Sequence, residues 1–332
     1  MKRSKNLLRK GAALAAMSTV LVSQAPLINA FAYGEADVSQ STFKQDTDNS
    51  ADFQKWLSNV WQGGEKAYAQ TENVALTPGS DAADLNFSWY SAGKGTPAVK
   101  VWKDGSKSSA KVVTGNAEAI SAENWQGKLY SAANKVNIAD YFEENTQYHY
   151  QYTDNYTGDD SVWSAEYDYT TKATDKFSVI LTGDPQVGAS GSSSDYSAND
   201  ASVARDAYNW NKTMQQALKT CPDASFLLSA GDQINQSGAT KDDDKKTRES
   251  EYAGYLYPSV FRSLPIAATI GNHDMDCNGA THETSYRTFE GYFGPTHYSF
   301  NKGNAHYIVI NNNFYVGREY FYIGYVDETT FK

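Results

Sequence analysis

Three short segments in the second half of the chain carry side chains of the types that bind metal ions. They are Gly183-Asp184-Pro185-Gln186, Gly231-Asp232-Gln233 and Gly271-Asn272-His273-Asp274, and each follows a short apolar run. Apolar runs of this length predict buried strands. If these strands are parallel neighbours, their carboxyl ends meet at one edge of a sheet and bring the polar residues together. Carboxylate and amide oxygens with a nearby imidazole suit Fe, Mn, Zn or Mg ions.

Taken singly, each segment has an ordinary structural explanation. Gly-Asp pairs occur by chance and mark turns, and an Asn after a Gly is a common helix cap. The combination is more specific, because an apolar run precedes every segment and the spacings suit β-α-β units. The sequence therefore predicts a cluster of oxygen ligands at one sheet edge.

The region around these segments, residues 173–332, predicts an α/β domain. Strands are predicted at 177–182, 225–230 and 265–270, helices at 199–220, 246–264 and 284–293, and a hairpin from 298–301 and 305–311. Strands that alternate with helices, each strand a nearly continuous apolar run, indicate a parallel sheet covered on both faces.

The preceding region, residues 72–172, has a different pattern of apolar and polar residues. Short alternating runs are separated by Gly, Asp, Asn and Ser, and they predict a β-sandwich. The predicted strands are 85–90, 99–102, 110–114, 148–153 and 164–170. In 148–152 the tyrosines share one face, and we expect His149 on the solvated face.

Residues 33–71 form a polar segment with one amphipathic patch. Phe53, Trp56, Leu57, Val60 and Trp61 recur at helical spacing, which predicts a short helix. Packing of this helix on the body of the protein is the favoured interpretation, and a partner-binding helix is the alternative.

The first 32 residues predict a secretory signal peptide. A basic start precedes an apolar run at 11–22 and small residues that end with Ala30-Phe31-Ala32. We expect cleavage after Ala32 and an extracellular protein, free or associated with the cell surface. A membrane anchor is the alternative, but the apolar run falls short of the ~20 residues that span a bilayer.

Charge and cysteine content narrow the classes of partner. The formal charge is −10, and removal of the predicted signal leaves 24 basic and 39 acidic residues, a formal charge of −15. This charge disfavours nucleic acid and anionic membrane surfaces. Phosphate can still bind where metal ions supply positive charge. The two cysteines, Cys221 and Cys277, indicate neither a disulfide scaffold nor a Cys-based zinc site, and we expect no bridge between them.

The order of the three segments resembles that of the calcineurin-like metallophosphoesterases. The all-β region resembles the fibronectin-like N-terminal domain of purple acid phosphatases, on Leu76-Thr77-Pro78-Gly79, Phe87-Ser88-Trp89 and the aromatic strand at Tyr148–Tyr152. Together the two resemblances cover roughly residues 72–312. They imply a fibronectin III-like β-sandwich followed by a metallophosphoesterase α/β sandwich.

The resemblance also implies roles for five residues. Asp184 is similar to the ligand of a first metal, Asp232 to the carboxylate that bridges two metals, and Asn272 to a ligand of the second. His273 is similar to the residue that contacts the substrate phosphate and helps protonate the leaving group, and Asp274 would orient His273. Two cations (Fe, Mn or Zn) ~3.5–4 Å apart would activate a bridging water. The implied activity is acid phosphatase-like hydrolysis of small phosphate monoesters by a secreted enzyme.

The sequence departs from the family pattern at two of these positions. Gln186 stands where many relatives have His, and Asn235 stands where purple acid phosphatases have the Tyr that gives the colour. We keep both as weaker candidate metal ligands and expect no purple absorption band.

Relatives also carry a His and a later Gly-His-x-His element well beyond the third segment, and the sequence reaches Lys332 before the places expected for them. The chain therefore resembles a fragment or a truncated product. His282, His297 and His306 are possible replacements, with His282 the best placed, but ordinary polar roles are favoured for all three.

Two alternative functions stay open. One is a phosphodiesterase or nucleotidase that uses the same metals. The other is a catalytically defective, truncated protein that acts as a binding or structural module.

Overall fold

The computed structural model describes residues 50–61, 74–119, 130–190, 200–235, 242–276, 281–317 and 320–324. Its helices are α1 (Ala51–Asn59), α2 (Asp200–Thr220), α3 (Asp242–Leu256) and α4 (Arg287–Phe293). Its strands are β1 (Ala75–Pro78), β2 (Leu85–Ser91), β3 (Ala98–Lys103), β4 (Lys111–Thr114), β5 (Asn116–Ala119), β6 (Ala132–Ile138), β7 (Gln147–Thr153), β8 (Tyr167–Thr170), β9 (Ser178–Thr182), β10 (Ala224–Ser229), β11 (Ile266–Ala268), β12 (Tyr298–Lys302), β13 (Ala305–Val309), β14 (Asn313–Gly317) and β15 (Tyr320–Ile323). The predicted signal peptide and Cys277 lie outside the described residues, and the thiol of Cys221 is free.

Strands β1 to β8 form two four-stranded antiparallel sheets. Their orders are β1-β2-β6-β5 and β4-β3-β7-β8. Phe87 and Trp89 of the first sheet share one buried core with Val101, Tyr148 and Tyr150 of the second. Two sheets that enclose a common core make a β-sandwich, and this part of the chain is rich in β-strands, as the sequence predicts. Its fibronectin-like character and the domain boundaries stay predictions.

Strands in which apolar and polar residues alternate were predicted from the sequence, and strands without this alternation were not. In β7, Tyr148 and Tyr150 are buried, while His149 and Gln151 are only partly covered on the opposite face, as the pattern predicts. Strand β6 was missed because its buried face includes Asn134, whose amide Nδ2 donates to Ser91 Oγ at 2.8 Å. Strands β1 and β5, four residues each, were also missed.

The second part of the chain contains the predicted parallel sheet, in the order β11-β10-β9. Helices α2 and α3 cover one face, where Met214 and Tyr255 pack in the same core as Leu227. On the other face, Phe226 packs against Phe300 of the β12–β13 hairpin. Coverage of both faces is therefore confirmed, with a hairpin rather than a helix on the second.

One predicted helix is too long. The prediction ran through 246–264, whereas α3 ends at Leu256 and a separate 3-10 turn covers Ser259–Arg262. Pro258 lies between them, and a proline both lacks an amide hydrogen and disfavours helical backbone at the preceding residue. The β14–β15 hairpin was not predicted.

The predicted N-terminal helix packs on the body of the protein. The side chain of Ser50 caps α1 by accepting a hydrogen bond from Phe53 N at 3.1 Å. Trp56 Nε1 donates to the Tyr257 hydroxyl at 2.7 Å, and its ring contacts Trp61 and Tyr208. These contacts support the packing interpretation of the amphipathic patch.

Residues 45–332 form one compact unit. Within it, two buried tyrosines of the sandwich bind main-chain carbonyls of the α/β part. Tyr90 donates to Thr288 O at 3.0 Å, and Tyr150 donates to Arg262 O at 2.9 Å. Among the helices of the described ranges, none has the length and apolar character needed to cross a membrane.

His149 lies against three carboxylates on the outer face of the sandwich. Its Nδ1 is 2.7 Å from Asp168 and 3.5 Å from Glu166, and its Nε2 is 3.0 Å from Asp104. Lys107 forms an ion pair with Glu166 at 2.6 Å. Burial lowers the pKa of His149, but the hydrogen bonds and charges of the carboxylates outweigh this effect and raise the pKa above 6.5.

We predict that His149 makes the stability of the protein depend on pH. Because its pKa is raised in the folded state, its contribution is fully present below pH 6.5 and is lost as the pH rises through the folded-state pKa. His149→Gln should lower the free energy of unfolding by roughly 0.5–1 kcal/mol at low pH. Urea unfolding at about pH 5.5 and 8.5 measures the difference, which should shrink at the higher pH.

His306→Gln is the matched control, because the His306 ring contacts the Asn301 side chain rather than a carboxylate. An effect of His149→Gln that stays constant or grows with pH contradicts the prediction.

Candidate functional site

The three predicted segments meet at one edge of the parallel sheet, each just beyond the end of its strand. Asp184 N donates to Gly231 O at 3.2 Å, which joins the first segment to the second. His273 N donates to Asp232 Oδ1 at 2.9 Å, which joins the third to the second. The convergence expected from the sequence is therefore present.

The chain adopts left-handed backbone at three non-glycine residues of the site. Asp184, Gln186 and Asp232 have φ angles of 49°, 36° and 51°. Asp tolerates this region better than most residues, but each such residue stores of order 1 kcal/mol or more. Strain of this kind concentrates where side chains must be held in place for function, which marks this strand edge as the candidate site.

Glycine at position 271 allows the second and third strand ends to come together. A Cβ at Gly271 would overlap the main-chain nitrogen and a carboxylate oxygen of Asp232. Gly231, with a φ of 105°, adopts a conformation that side chains disfavour and lies directly against Gly271. Steric contact thus explains why glycine occupies positions 231 and 271.

Asp184 and Asp232 place two carboxylates close together. Asp184 is exposed and Asp232 is buried. Partial loss of hydration raises the pKa of Asp184, the neighbouring Asp232 carboxylate raises it further, and His273 opposes the shift. A pair of like charges brought together by two strand ends attracts a cation.

The imidazole of His273 is held by the second segment. Its Nδ1 contacts the main-chain carbonyl of Asn235. Because a carbonyl oxygen only accepts, Nδ1 carries the hydrogen, and Nε2 is the nitrogen left to act on a ligand. The expected orientation of His273 by Asp274 is therefore provided here by Asn235.

Asp274 instead ties the third segment to the second. Its side chain is fully buried. It accepts hydrogen bonds from Gly271 N at 2.8 Å, Gln233 N at 3.1 Å and the Tyr252 hydroxyl at 3.1 Å. Burial raises the pKa of Asp274 to about 8, against the opposing effect of the Gly271 hydrogen bond. These contacts describe a positioning residue, and its assignment as catalytic stays a prediction.

The weaker candidate ligands also have structural roles. Gln186 Nε2 donates to Asp232 Oδ2 at 3.1 Å, so this side chain restrains the carboxylate. Asn235 contacts His273 through its main chain. The half-buried Asn272 side chain forms no hydrogen bond with the residues that the structure describes, which leaves its amide oxygen available.

No three His, Cys, Asp or Glu side chains come together as a metal-ligand cluster in the described ranges. The three later histidines are engaged elsewhere. His282 contacts the Tyr286 hydroxyl at 2.7 Å, His297 Nδ1 accepts from Asn311 N at 3.4 Å, and His306 Nδ1 contacts Asn301 at 2.7 Å. The polar roles expected for these histidines are the ones observed.

Two acidic residues that support the site were missed by sequence reasoning. Asp206 of α2 accepts from Gly188 N at 2.8 Å and Ser190 N at 3.1 Å, and so anchors the loop after the first segment. Asp206 lies three residues after Val203 and four before Trp210, so it falls on the apolar side of α2. A charged residue at such a position is a signal in the sequence that could have identified it.

The second missed residue, Asp276, forms a fully buried ion pair with Arg248. Its other oxygen accepts from Thr288 N at 2.9 Å, which fixes the start of α4. No pattern in the sequence predicted this pair, because Arg248 lies in a run of charged residues that is typical of a solvent-exposed surface.

We predict that Gly271→Ala disrupts the site and lowers the free energy of unfolding by about 1–3 kcal/mol, the usual penalty for overpacking. The added methyl group must displace Asp232. Gly183→Ala is the matched control, since its Cβ would meet only Ala230 Cβ at an ordinary 3.5 Å. Chemical denaturation, with NMR shifts of the Asp232 and His273 amides, measures both effects. Equal tolerance of the two substitutions would show that the strand ends are not in contact.

Comparisons with known proteins add a likeness in fold. No protein-family model matches the sequence, and the comparison with curated proteins finds no relative. The structure is similar to that of the purple acid phosphatase PPD1 isolated from yellow lupin (Lupinus luteus) seeds, with a TM-score of 0.54 and 14% sequence identity over 71% of this chain. The matched region spans 44% of the lupin chain. The described part of this chain therefore has a β-rich fold similar to that of a purple acid phosphatase.

Proposed function

We propose that this protein is a secreted, metal-dependent phosphoesterase that hydrolyses small phosphate monoesters. One observation carries the proposal: three consecutive parallel strands deliver Asp184, Asp232, Asn272 and His273 to a single sheet edge. The likeness in fold to a purple acid phosphatase supports it. The predicted signal peptide supports an extracellular location.

The donor set at this edge fits a metal ion of the Fe, Mn or Zn type. Loss of hydration and then the neighbouring Asp232 carboxylate raise the pKa of Asp184, and a bound cation would relieve the repulsion between the two carboxylates. Asp184, Asp232 and Asn272 would hold the metal, with hard oxygen atoms throughout. Bound metal ions would activate a water molecule and neutralise charge on the phosphate.

Hydrogen bonds hold the Asp232 carboxylate in position for metal binding before any ligand binds. One carboxylate oxygen accepts from His273 N at 2.9 Å, and the other accepts from Gln186 Nε2 at 3.1 Å. Each oxygen retains a lone pair, so the carboxylate can still bind cations on both sides. Restraint of this kind is usual for carboxylates that bind metal ions.

His273 would handle the proton of the leaving group. With Nδ1 held by the Asn235 carbonyl, a protonated ring presents Nε2–H for donation to the departing alkoxide oxygen. General acid catalysis by a positioned imidazole typically contributes 10²–10⁴-fold to the rate. The chain's formal charge of −10 gives no long-range attraction for a phosphate ester, so bound metal ions must supply the local positive charge.

We predict that Asp232→Asn weakens metal binding and abolishes hydrolysis while the fold is kept. Asn is the appropriate replacement because it tolerates the left-handed backbone of position 232 and removes only the charge. Calorimetric titration with Mn²⁺ and hydrolysis of p-nitrophenyl phosphate measure the two losses. We expect metal affinity to fall by about tenfold or more, the scale for loss of one charged interaction.

Asp223→Asn is the control, because Asp223 lies just before β10, at the other end of the strand from the site. Mn²⁺ binding that is the same in the wild type and in Asp232→Asn would contradict the metal site. Mn²⁺ binding without turnover of p-nitrophenyl phosphate or bis-p-nitrophenyl phosphate would contradict the phosphoesterase activity alone.

A further inference from the structure

A second cleft lies on the outer face of the sandwich sheet, away from the side chains of the candidate site. It has a volume of about 480 Å³ and opens between the sheet β1-β2-β6-β5 and the segment 293–299 that connects α4 to β12. None of the residues of the three segments at the candidate site lines it. Small-molecule sites commonly have this size and lie where two layers of a fold meet.

Polar side chains that carry no net negative charge form the floor of this cleft. The strand register aligns them in two rows that run across the sheet. The first row contains Thr77, Asn86 and Asn137, and the second contains Ser88, Lys135 and Asn116. Amides and hydroxyls at sheet spacing provide alternating donors and acceptors over a flat surface.

A short chain of hydrogen bonds fixes the orientation of the amides. Asn86 Nδ2 donates to Pro78 O at 2.8 Å, and Asn137 Nδ2 donates to Asn86 Oδ1 at 2.6 Å. Asn137 is exposed, and its Oδ1 accepts no hydrogen bond from the residues that the structure describes. It therefore presents an orientated acceptor next to a remaining N–H donor, the arrangement that binds two neighbouring hydroxyl groups.

The charges around the cleft argue against an anionic ligand. Lys135 is the one cation among the lining residues. The carboxylate of Glu290 lies close enough to Lys135 for the two charges to interact, and it is also close to the carboxylate of Glu118. Lys135 therefore has an acidic neighbour that does not itself line the cleft. The rim supplies apolar surface through the exposed Pro295, which suits the C–H face of a sugar ring.

We propose that this cleft binds a neutral, hydroxyl-rich ligand, namely the end of an oligosaccharide. The inference is independent of the phosphoesterase function, because it rests on different residues. Oligosaccharide binding there would attach the protein to a glycan while the strand edge at Asp232 stays accessible.

The test is an NMR titration of the full chain, labelled with ¹⁵N, with maltotriose, cellotriose and triacetylchitotriose as probes. At least one probe should give saturable shifts below about 50 mM, the range of weak binding. The shifts should be confined to amides of 77–80, 86–88, 114–116, 135–137 and 293–299. The double variant Asn116→Ala/Asn137→Ala should bind at least tenfold more weakly.

Asn59→Ala is the matched control, because Asn59 is an exposed amide on α1 outside the cleft, and it should bind as the wild type does. Ser299→Trp, which fills the cleft from its exposed rim without altering the sheet, should abolish binding even if the double variant is poorly folded. No saturable shift in the cleft with any probe overturns the proposal. So does equal binding by Ser299→Trp, or displacement of the probe by sulfate.

Discussion

The close approach of two strand ends, those of β10 and β11, is the constraint on which the site depends. Gly271 lies against Asp232 with no room for a Cβ between them. Behind this contact, the buried Asp274 carboxylate accepts amide hydrogens from both sides, Gly271 N and Gln233 N. A single side chain therefore satisfies main-chain donors of two segments that are far apart in sequence, and without it both donors would be buried and unpaired.

A second set of buried polar contacts extends from this point to the sandwich. Asp276 lies just after the third segment and forms an ion pair with Arg248. It also accepts a hydrogen bond from Thr288 N in the first turn of α4. The carbonyl of Thr288 accepts from Tyr90 of the sandwich. Buried ion pairs are seldom a net source of stability, since desolvation opposes the attraction. Here the pair fixes the position of α4, which packs against the same sheet that carries the cleft.

The sequence predicted the elements better than it predicted the contacts that hold the site. Periodicity identified β7, the parallel strands and α2, because burial on one face or on both leaves a pattern in residue type. The three motif segments were predicted to converge, and they do. In contrast, the partner of His273 is the main-chain carbonyl of Asn235, and every residue has such a carbonyl. Residue types alone could not identify it, nor could they show that Asp274 binds backbone rather than imidazole.

The side chain of Gln186 makes a different contact from the one that a histidine would make at this position. A His at this position would offer an electron pair to a metal, whereas the Gln186 amide donates a hydrogen bond to Asp232 Oδ2 at 3.1 Å. The same carboxylate is held on its other oxygen by His273 N. Gln186 thus restrains the Asp232 carboxylate and offers no imidazole nitrogen at this position. In the proposed metal site, loss of rotational freedom of the Asp232 carboxylate would therefore be met on folding rather than on metal binding.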